Sequence, residues 1–305
     1  MFFDRGLQDN LTLRREARGR WPVLMALLVL AIVALAVWLG GYAWKQYHLS
    51  HSAKQVSLVE QSRLGPEQQA LARIRSSVAA RELVQARFEC YQALEQCKDP
   101  AIVSDVERLL GQINMNLVLT PEAMSEKEEY IVRAGDSLER IAKKFGTTVD
   151  LIRQNNDLKT NMIHPGDCLR IFKAILTIDV SKSRNDLLLK ANGVFFKRYQ
   201  VGTGQYGKTP AGTFVISDKI MEPPWWRPDG KMIPFGDKEN VLGTRWMSIT
   251  PVEGTPSVSG YGIHGTWEQE TIGKQASAGC IRLVNSDVEE LFLLTPVGTR
   301  IVITE

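Results

Sequence analysis

Between Trp21 and Trp44 the chain runs through PVLMALLVLAIVALAVWLGGYA without one charged residue. A helix crosses a bilayer with about 20 apolar residues, so this run is long enough to span one, and it splits the chain into two compartments. Arg5, Arg14, Arg15, Arg18 and Arg20 precede the run, while only Lys45 and Lys54 follow closely. Cationic flanks stay in the cytoplasm, which predicts a cytoplasmic tail over 1–20, an anchor over 21–44 and an outward-facing remainder. Gly41-Tyr42-Ala43 could pass as a cleavage site, but the run exceeds the about 7 to 15 apolar residues of a secretory signal. An uncleaved single-pass anchor is the expectation. No cysteine follows the run closely, so lipoprotein processing is not indicated.

The charge balance narrows the partners. Lys and Arg total 37 against 34 for Asp and Glu, a formal net charge of +3, with no dense basic patch interleaved with aromatics. That argues against nucleic acid as a partner. Cysteines stand at 90, 97, 168 and 280, in a compartment that permits disulfides. Cys90 and Cys97 fall in one helical stretch, which sets their Cα atoms roughly 10 Å apart along the axis, too far to bridge. A pair with Cys168 is open.

After the anchor, 45–128 is expected to be a helical spacer holding the outer domains away from the membrane. Leu71, Ile74, Val78, Leu83 and Phe88 recur at helical spacing, Asp99-Pro100 interrupts, and Ile102, Val106, Leu109, Leu110 and Ile113 form a second stripe. This predicts a helical hairpin over 66–118. Residues 129–173 read as a small βααβ module. Tyr130 to Val132 and Cys168 to Phe172 are its strands, Asp136 with Glu139 a capping box, and Thr147 or Thr148 the start of its second helix. From 174 to 305 the chain is mostly β, with short runs at Ile175–Val180, Leu187–Lys190, Val194–Val201, Thr213–Ile216, Arg245–Ile249 and Gly298–Ile303. Asn192-Gly193 marks a type I′ hairpin turn, and Ser286 to Leu294 is the one helix, with Ser286 and Glu289 as its capping box. The proline-rich gap from Ile220 to Gly243 reads as a long loop of the kind that forms lids.

Chemistry concentrates in Ile263-His264-Gly265-Thr266 and Ser277-Ala278-Gly279-Cys280-Ile281-Arg282-Leu283. A thiol needs a nearby base to attack a carbonyl, and glycines allow close substrate approach and expose backbone N–H groups to a developing oxyanion. The competing reading, a buried structural thiol, suits Cys280 less well because its flank is a small polar turn. A metal site is not expected: zinc takes four ligands, and His48, His51 and His164 lack the spacing to supply them. Gly202-Thr-Gly-Gln-Tyr-Gly207-Lys208-Thr209 fits a phosphate-loop pattern, but Pro210 and a strand follow where a helix must begin, so it reads as a turn. Trp225 and Trp226 either stack on substrate or plug the core. Arg282 either receives a substrate carboxylate or pairs with a structural acid such as Asp287.

Two resemblances give these patterns a context. Tyr130, Gly135-Asp136-Ser137-Leu138, Ile141-Ala142, Phe145, Asn155 or Asn156, Ile163 and Pro165-Gly166 resemble the lysin motif, LysM. That resemblance implies binding to the N-acetylglucosamine-containing glycan of a cell wall, through Gly135, Asp136, Ser137, Asn155 and Asn156. The His264 and Cys280 segments, Asn285-x-Asp287, Val201 to Gly204, Thr209-Pro210-x-Gly212-x-Phe214 and Gly298-Thr299 resemble the L,D-transpeptidase (YkuD-type) catalytic domain. One departure is Ala278, where many members carry His before the Gly-Cys pair. The resemblance implies Cys280 as nucleophile, His264 as base and the Gly265 carbonyl as its orienting group. Gly279, Ser277, Arg282, Trp225, Trp226 and Tyr261 would form the oxyanion and substrate-binding set. It implies peptidoglycan as partner, no cofactor and no nucleotide. A hydrolase of the same fold and a non-catalytic wall-binding protein are the alternatives.

Overall fold

The structure is a computed structural model that describes residues 25–48 and 64–305. The expected tail over 1–20, the first residues of the anchor and 49–63 of the spacer lie outside the described residues. The chain divides into two units, one up to Gly65 and one over Pro66–Glu305. Within the first, α1 (Met25–His48) is a single helix long and apolar enough to cross a membrane, a property that a signal sequence shares.

The second unit begins with three helices, α2 (Pro66–Ala79), α3 (Leu83–Gln96) and α4 (Pro100–Leu119). The expected hairpin is therefore a three-helix layer. The extra break comes at Arg81, which takes a left-handed φ of 62° and reverses the chain where no proline or glycine marks it. Asp99 caps α4 by accepting the Ala101 N–H at 2.9 Å, with Pro100 at the first helical position.

The layer does not stand apart as a spacer. Leu110, Ile113 and Leu117 of α4 are buried in the same core as Phe172, Phe196, Phe214 and Ile301 from the strands that follow. Polar contacts fix the seam. Asn114 is fully buried and donates from Nδ2 to Phe196 O at 2.8 Å, and Arg198 forms a two-pronged ion pair with Glu107 at 2.8 Å. The α4 stripe is too apolar to leave in water, so the helices pack on the sheet instead of standing off as a spacer.

The expected βααβ module is β1 (Lys127–Ile131), α5 (Leu138–Phe145), α6 (Val149–Asn155) and β2 (Cys168–Phe172), with β1 and β2 antiparallel and a small core of Tyr130, Leu138, Ile141, Ile152 and Ile171. Ser137, not Asp136, caps α5, accepting from Arg140 N at 3.3 Å; Thr148 caps α6. Lys127 Nζ reaches back to the C-terminal carbonyls of α4 at Leu117 and Thr120. Thr148 Oγ1 donates to Leu293 O at 2.6 Å, so the module is also fastened to the last helix of the chain.

The remaining chain builds an eight-stranded sheet. In chain order its strands are β3 (Leu176–Ser181), β4 (Asp186–Ala191), β5 (Val194–Gln200), β7 (Gly212–Met221), β10 (Arg245–Val252), β11 (Gly262–Thr266), β13 (Ile281–Val284) and β14 (Arg300–Thr304). Their spatial order is β13-β11-β10-β7-β14-β3-β4-β5, parallel only at β11–β13 and β14–β3. Asn192 and Gly193, with φ of 52° and 81°, make the expected I′ turn between β4 and β5. Just beyond β5, Gly202 exchanges two 2.8 Å backbone hydrogen bonds with Arg282 of β13. The segment leaving β5 at one edge of the sheet is thereby bridged to β13 at the other.

Helix α7 (Asn285–Leu294) starts directly after β13 with no side-chain cap, so the capping box expected at Ser286 is not formed. The gap after β7 is not structureless. A short hairpin, β8 (Trp225–Trp226) against β9 (Met232–Ile233), stands in it, and buried Asn240 gathers the carbonyls of Pro223, Ile233 and Pro234.

Candidate active site

Strand register places the chemistry. In β11 and β13, His264 lies opposite Arg282 and Ile263 opposite Ile281. Side chains at paired positions leave a sheet on the same face, and the face alternates with every residue. Ile263, Ile281 and Leu283 therefore point into the core, where all three are buried, and His264 and Arg282 share the other face. Cys280 stands in the bend immediately before β13, its Sγ 3.8 Å from Gly260 O and beside the Gly262 backbone at the start of β11.

The third strand completes two rows. Trp246 of β10 pairs with His264, and Ser248 with Gly262. The Trp246 indole stacks on the imidazole with ring centres 5.6 Å apart and planes 28° from parallel. A methyl group on Gly262 would come within 2.7 Å of that indole, so glycine is needed there for the stack to form. Trp246 was not among the residues singled out from the sequence. Its strand was legible, but its neighbour is a matter of register.

His264 is 3 % exposed, and its Nδ1 lies 2.6 Å from Gly265 O. A carbonyl only accepts, so Nδ1 carries the proton of the neutral ring and Nε2 the lone pair. Burial holds the imidazole pKa down to about 4, against the opposing pull of the Gly265 backbone; nearby Arg282 adds to the lowering. Burial likewise pushes the Cys280 thiol up, countered by the Gly262 backbone and by Arg282. At neutral pH the site holds a neutral thiol and a neutral imidazole, not a preformed ion pair.

The turn before Cys280 is fixed from within. Ser277 Oγ donates to Cys280 O at 2.6 Å and accepts the Gly279 N–H at 3.0 Å. The Gly279 amide is thus engaged, whereas among the described residues nothing accepts the Cys280 N–H. Gly279 has φ of 140°, and a methyl group there would come within 2.6 Å of the Tyr261 ring, so both conformation and packing require glycine. Buried Thr209 ties this turn to the glycine-rich loop: its Oγ1 donates to Gly279 O at 2.8 Å and accepts Gly204 N–H at 2.7 Å. That loop pairs alongside, β6 (Thr203–Gly204) running parallel to β12 (Gln275–Ser277), and it opens no α-helix. Ala278 is exposed.

Arg282 pairs with Glu268 at 3.0 Å, and not with Asp287. Its side chain is only 14 % exposed, and its buried Nε has no partner among the described residues. Trp225 and Trp226 sit on the separate β8–β9 hairpin; Trp226 is exposed, so it plugs no core.

The LysM positions divide. Asp136 accepts from Arg133 N and from Tyr130 Oη, both at 2.8 Å. Asn156 donates to Ile152 O and Arg170 O and accepts Arg170 N–H, which spends its amide on joining α6 to β2. Asn156 is therefore a scaffold residue in this structure. Asn155 is buried, with neither amide atom partnered among the described residues. All four cysteines are free thiols, Cys90 buried and Cys168 exposed.

Residues 175–303 match the L,D-transpeptidase catalytic domain (YkuD), and residues 130–172 match the LysM domain. YqjB of Bacillus subtilis is 40 % identical over 127 residues, 41 % of this chain and 69 % of its own length. YkuD of Bacillus licheniformis is 35 % identical over 184 residues, covering 57 % of this chain and 98 % of its own. YbiS of Escherichia coli is 27 % identical over 225 residues, 65 % of this chain and 66 % of its own. All three carry the L,D-transpeptidase name. With its catalytic domain and its LysM domain both matched and a relative covered along nearly its full length, the chain belongs to the L,D-transpeptidase family and carries a LysM domain ahead of its catalytic domain.

Proposed function

We propose that the chain is a cysteine acyltransferase acting on peptidoglycan stems, with Cys280 as nucleophile and His264 as general base. The observation that carries this reading is the pairing of His264 with Arg282 on adjacent parallel strands, with the Cys280 thiol beside the Gly260–Gly262 backbone at the start of the histidine's strand. Cys280 Sγ attacks the carbonyl of the third stem residue, usually meso-diaminopimelate, as its proton passes to His264 Nε2. The C–N bond to the terminal D-alanine breaks, the imidazolium returns the proton to the departing amine, and a thioester remains. An acceptor amine then attacks the thioester, giving a 3-3 cross-link or a protein attachment and restoring the thiol. The neutral starting pair suits this, because the proton moves with the attack and no buried ion pair must be maintained.

The free Cys280 N–H is the better oxyanion donor, since Gly279 N–H is already engaged. Arg282 supports the site as a carboxylate receptor: a free donor and an exchangeable partner, Glu268, are what a substrate carboxylate would need. Tyr261 and Ser277 act by shaping the turn. The LysM domain holds glycan through the loops around Gly135 and Asn155, and α1 anchors the chain with these domains on the outer side.

Incubation with a carbapenem is expected to add one covalent adduct per chain, absent in Cys280→Ala, as read by intact mass. No adduct on folded wild-type protein would overturn the reading. Product analysis with tetrapeptide muropeptides then separates cross-linked dimers from trimmed stems, the product of a hydrolase.

A further inference from the structure

The base is oriented by a backbone carbonyl, so something must hold that carbonyl. Asn285, the first residue of α7, is placed to do so. Its Oδ1 accepts the Thr244 N–H at 3.1 Å. The same oxygen lies 2.2 Å from where a methyl group on Gly265 would stand and 2.3 Å from one on Gly243. The Gly243 methyl would also meet Gly265 C at 2.5 Å. Three backbone segments thus converge on one carboxamide with no room for a side chain between them: the root of β10, the catalytic strand β11 at Gly265, and the start of α7. Gly265 is the residue whose carbonyl stands 2.6 Å from His264 Nδ1. The neighbouring Leu242 backbone also reaches the imidazole. The Asn285 carboxamide thus holds Thr244 by a hydrogen bond and packs directly against Gly243 and Gly265, next to two of the backbone segments at the ring.

We infer that Asn285 is a positioning residue for His264, clamping Gly265 and the Leu242–Thr244 segment so that the imidazole keeps its tautomer and its aim at Cys280. This rests on the assignment of His264 as base. Asn285 touches no reacting atom; it acts through the backbone it pins. Glycine at 243 and 265 follows from the same close approach, since Gly243 has φ of 64° and both positions would drive a Cβ into the carboxamide.

Two variants of the full chain in detergent test this. Asn285→Ala removes the acceptor, and Asn285→Asp keeps an oxygen in the same place, at a helix N-terminus that tolerates negative charge. Carbapenem acylation by Asn285→Ala is expected to slow about 10- to 100-fold, the scale on which small misplacements act, with little change in the concentration giving half-maximal rate. Asn285→Asp should recover most of the rate. Independently of activity, NMR titration should show the His264 imidazole of Asn285→Ala protonating at higher pH than in wild type, as the loosened ring gains water. A folded Asn285→Ala protein with wild-type acylation and wild-type imidazole titration would overturn the inference. So would equal rate losses in both variants with the titration unmoved, which is the signature of general structural support. Absence of any adduct in wild type bears on the nucleophile instead, and the titration still decides the role of Asn285.

Discussion

His264 is the residue on which the pH behaviour turns. Its pKa in the fold is about 4, against about 6.5 in an unfolded chain. Between those values the unfolded chain binds a proton that the folded one refuses, so stability falls as pH drops from about 6.5 to 4 and is unaffected by this group above 6.5. The full loss is on the order of 3 kcal/mol. Denaturant melts at pH 7 and pH 4.5 are expected to differ less in His264→Gln than in wild type; an equal difference would mean the imidazole is not buried as described. Carbapenem acylation should stay flat from pH 6 to 8 and decline only as the pH approaches 4. Cys280 and His264 were legible in the sequence because such residue types are scarce, four of each in 305 residues, and their glycine-rich settings are unlike core segments. Trp246 and Glu268 were not, because a tryptophan in a strand and a glutamate in a loop have many ordinary roles. Only register, in the one case, and the turn after β11, in the other, bring them to the site.

At the scale of elements, the nucleophile turn depends on a residue from a distant loop. Thr209 bridges Gly204 and Gly279 with two buried hydrogen bonds. Thr209→Val keeps the shape and leaves both backbone groups unpaired, a cost of about 1–3 kcal/mol. The expected result is a lower melting temperature, together with slower acylation as the Cys280 turn loosens. An unchanged melting temperature would show that water replaces the hydroxyl. The strands rich in Ile, Val and Leu, such as β3 and β14, were readable from composition alone. The two that carry the site, β11 and β13, were not read as strands: β11 is Gly-Ile-His-Gly-Thr, whose outward positions hold chemistry and glycine in place of a regular polar alternation. Likewise the break at Arg81 was invisible, because an arginine in left-handed conformation leaves no compositional mark.

For the whole molecule, the helical layer is part of the catalytic fold. Deleting 66–119 would expose the apolar face that meets Leu110, Ile113 and Leu117 and strand the partners of Asn114 and Glu107. Such a variant is expected to be insoluble or aggregated by size-exclusion chromatography, whereas a true spacer would be dispensable. Soluble, monomeric protein that acylates at the wild-type rate would show the layer to be an accessory. The pairing of Gly202 with Arg282 has a further consequence for how the molecule comes together. It joins segments far apart in sequence, and the arginine it fixes is the one beside His264. A chain whose seam has parted would lose the hold on that arginine while the rest of the sheet ladder stays paired, and so would be catalytically silent with nearly all of its secondary structure intact.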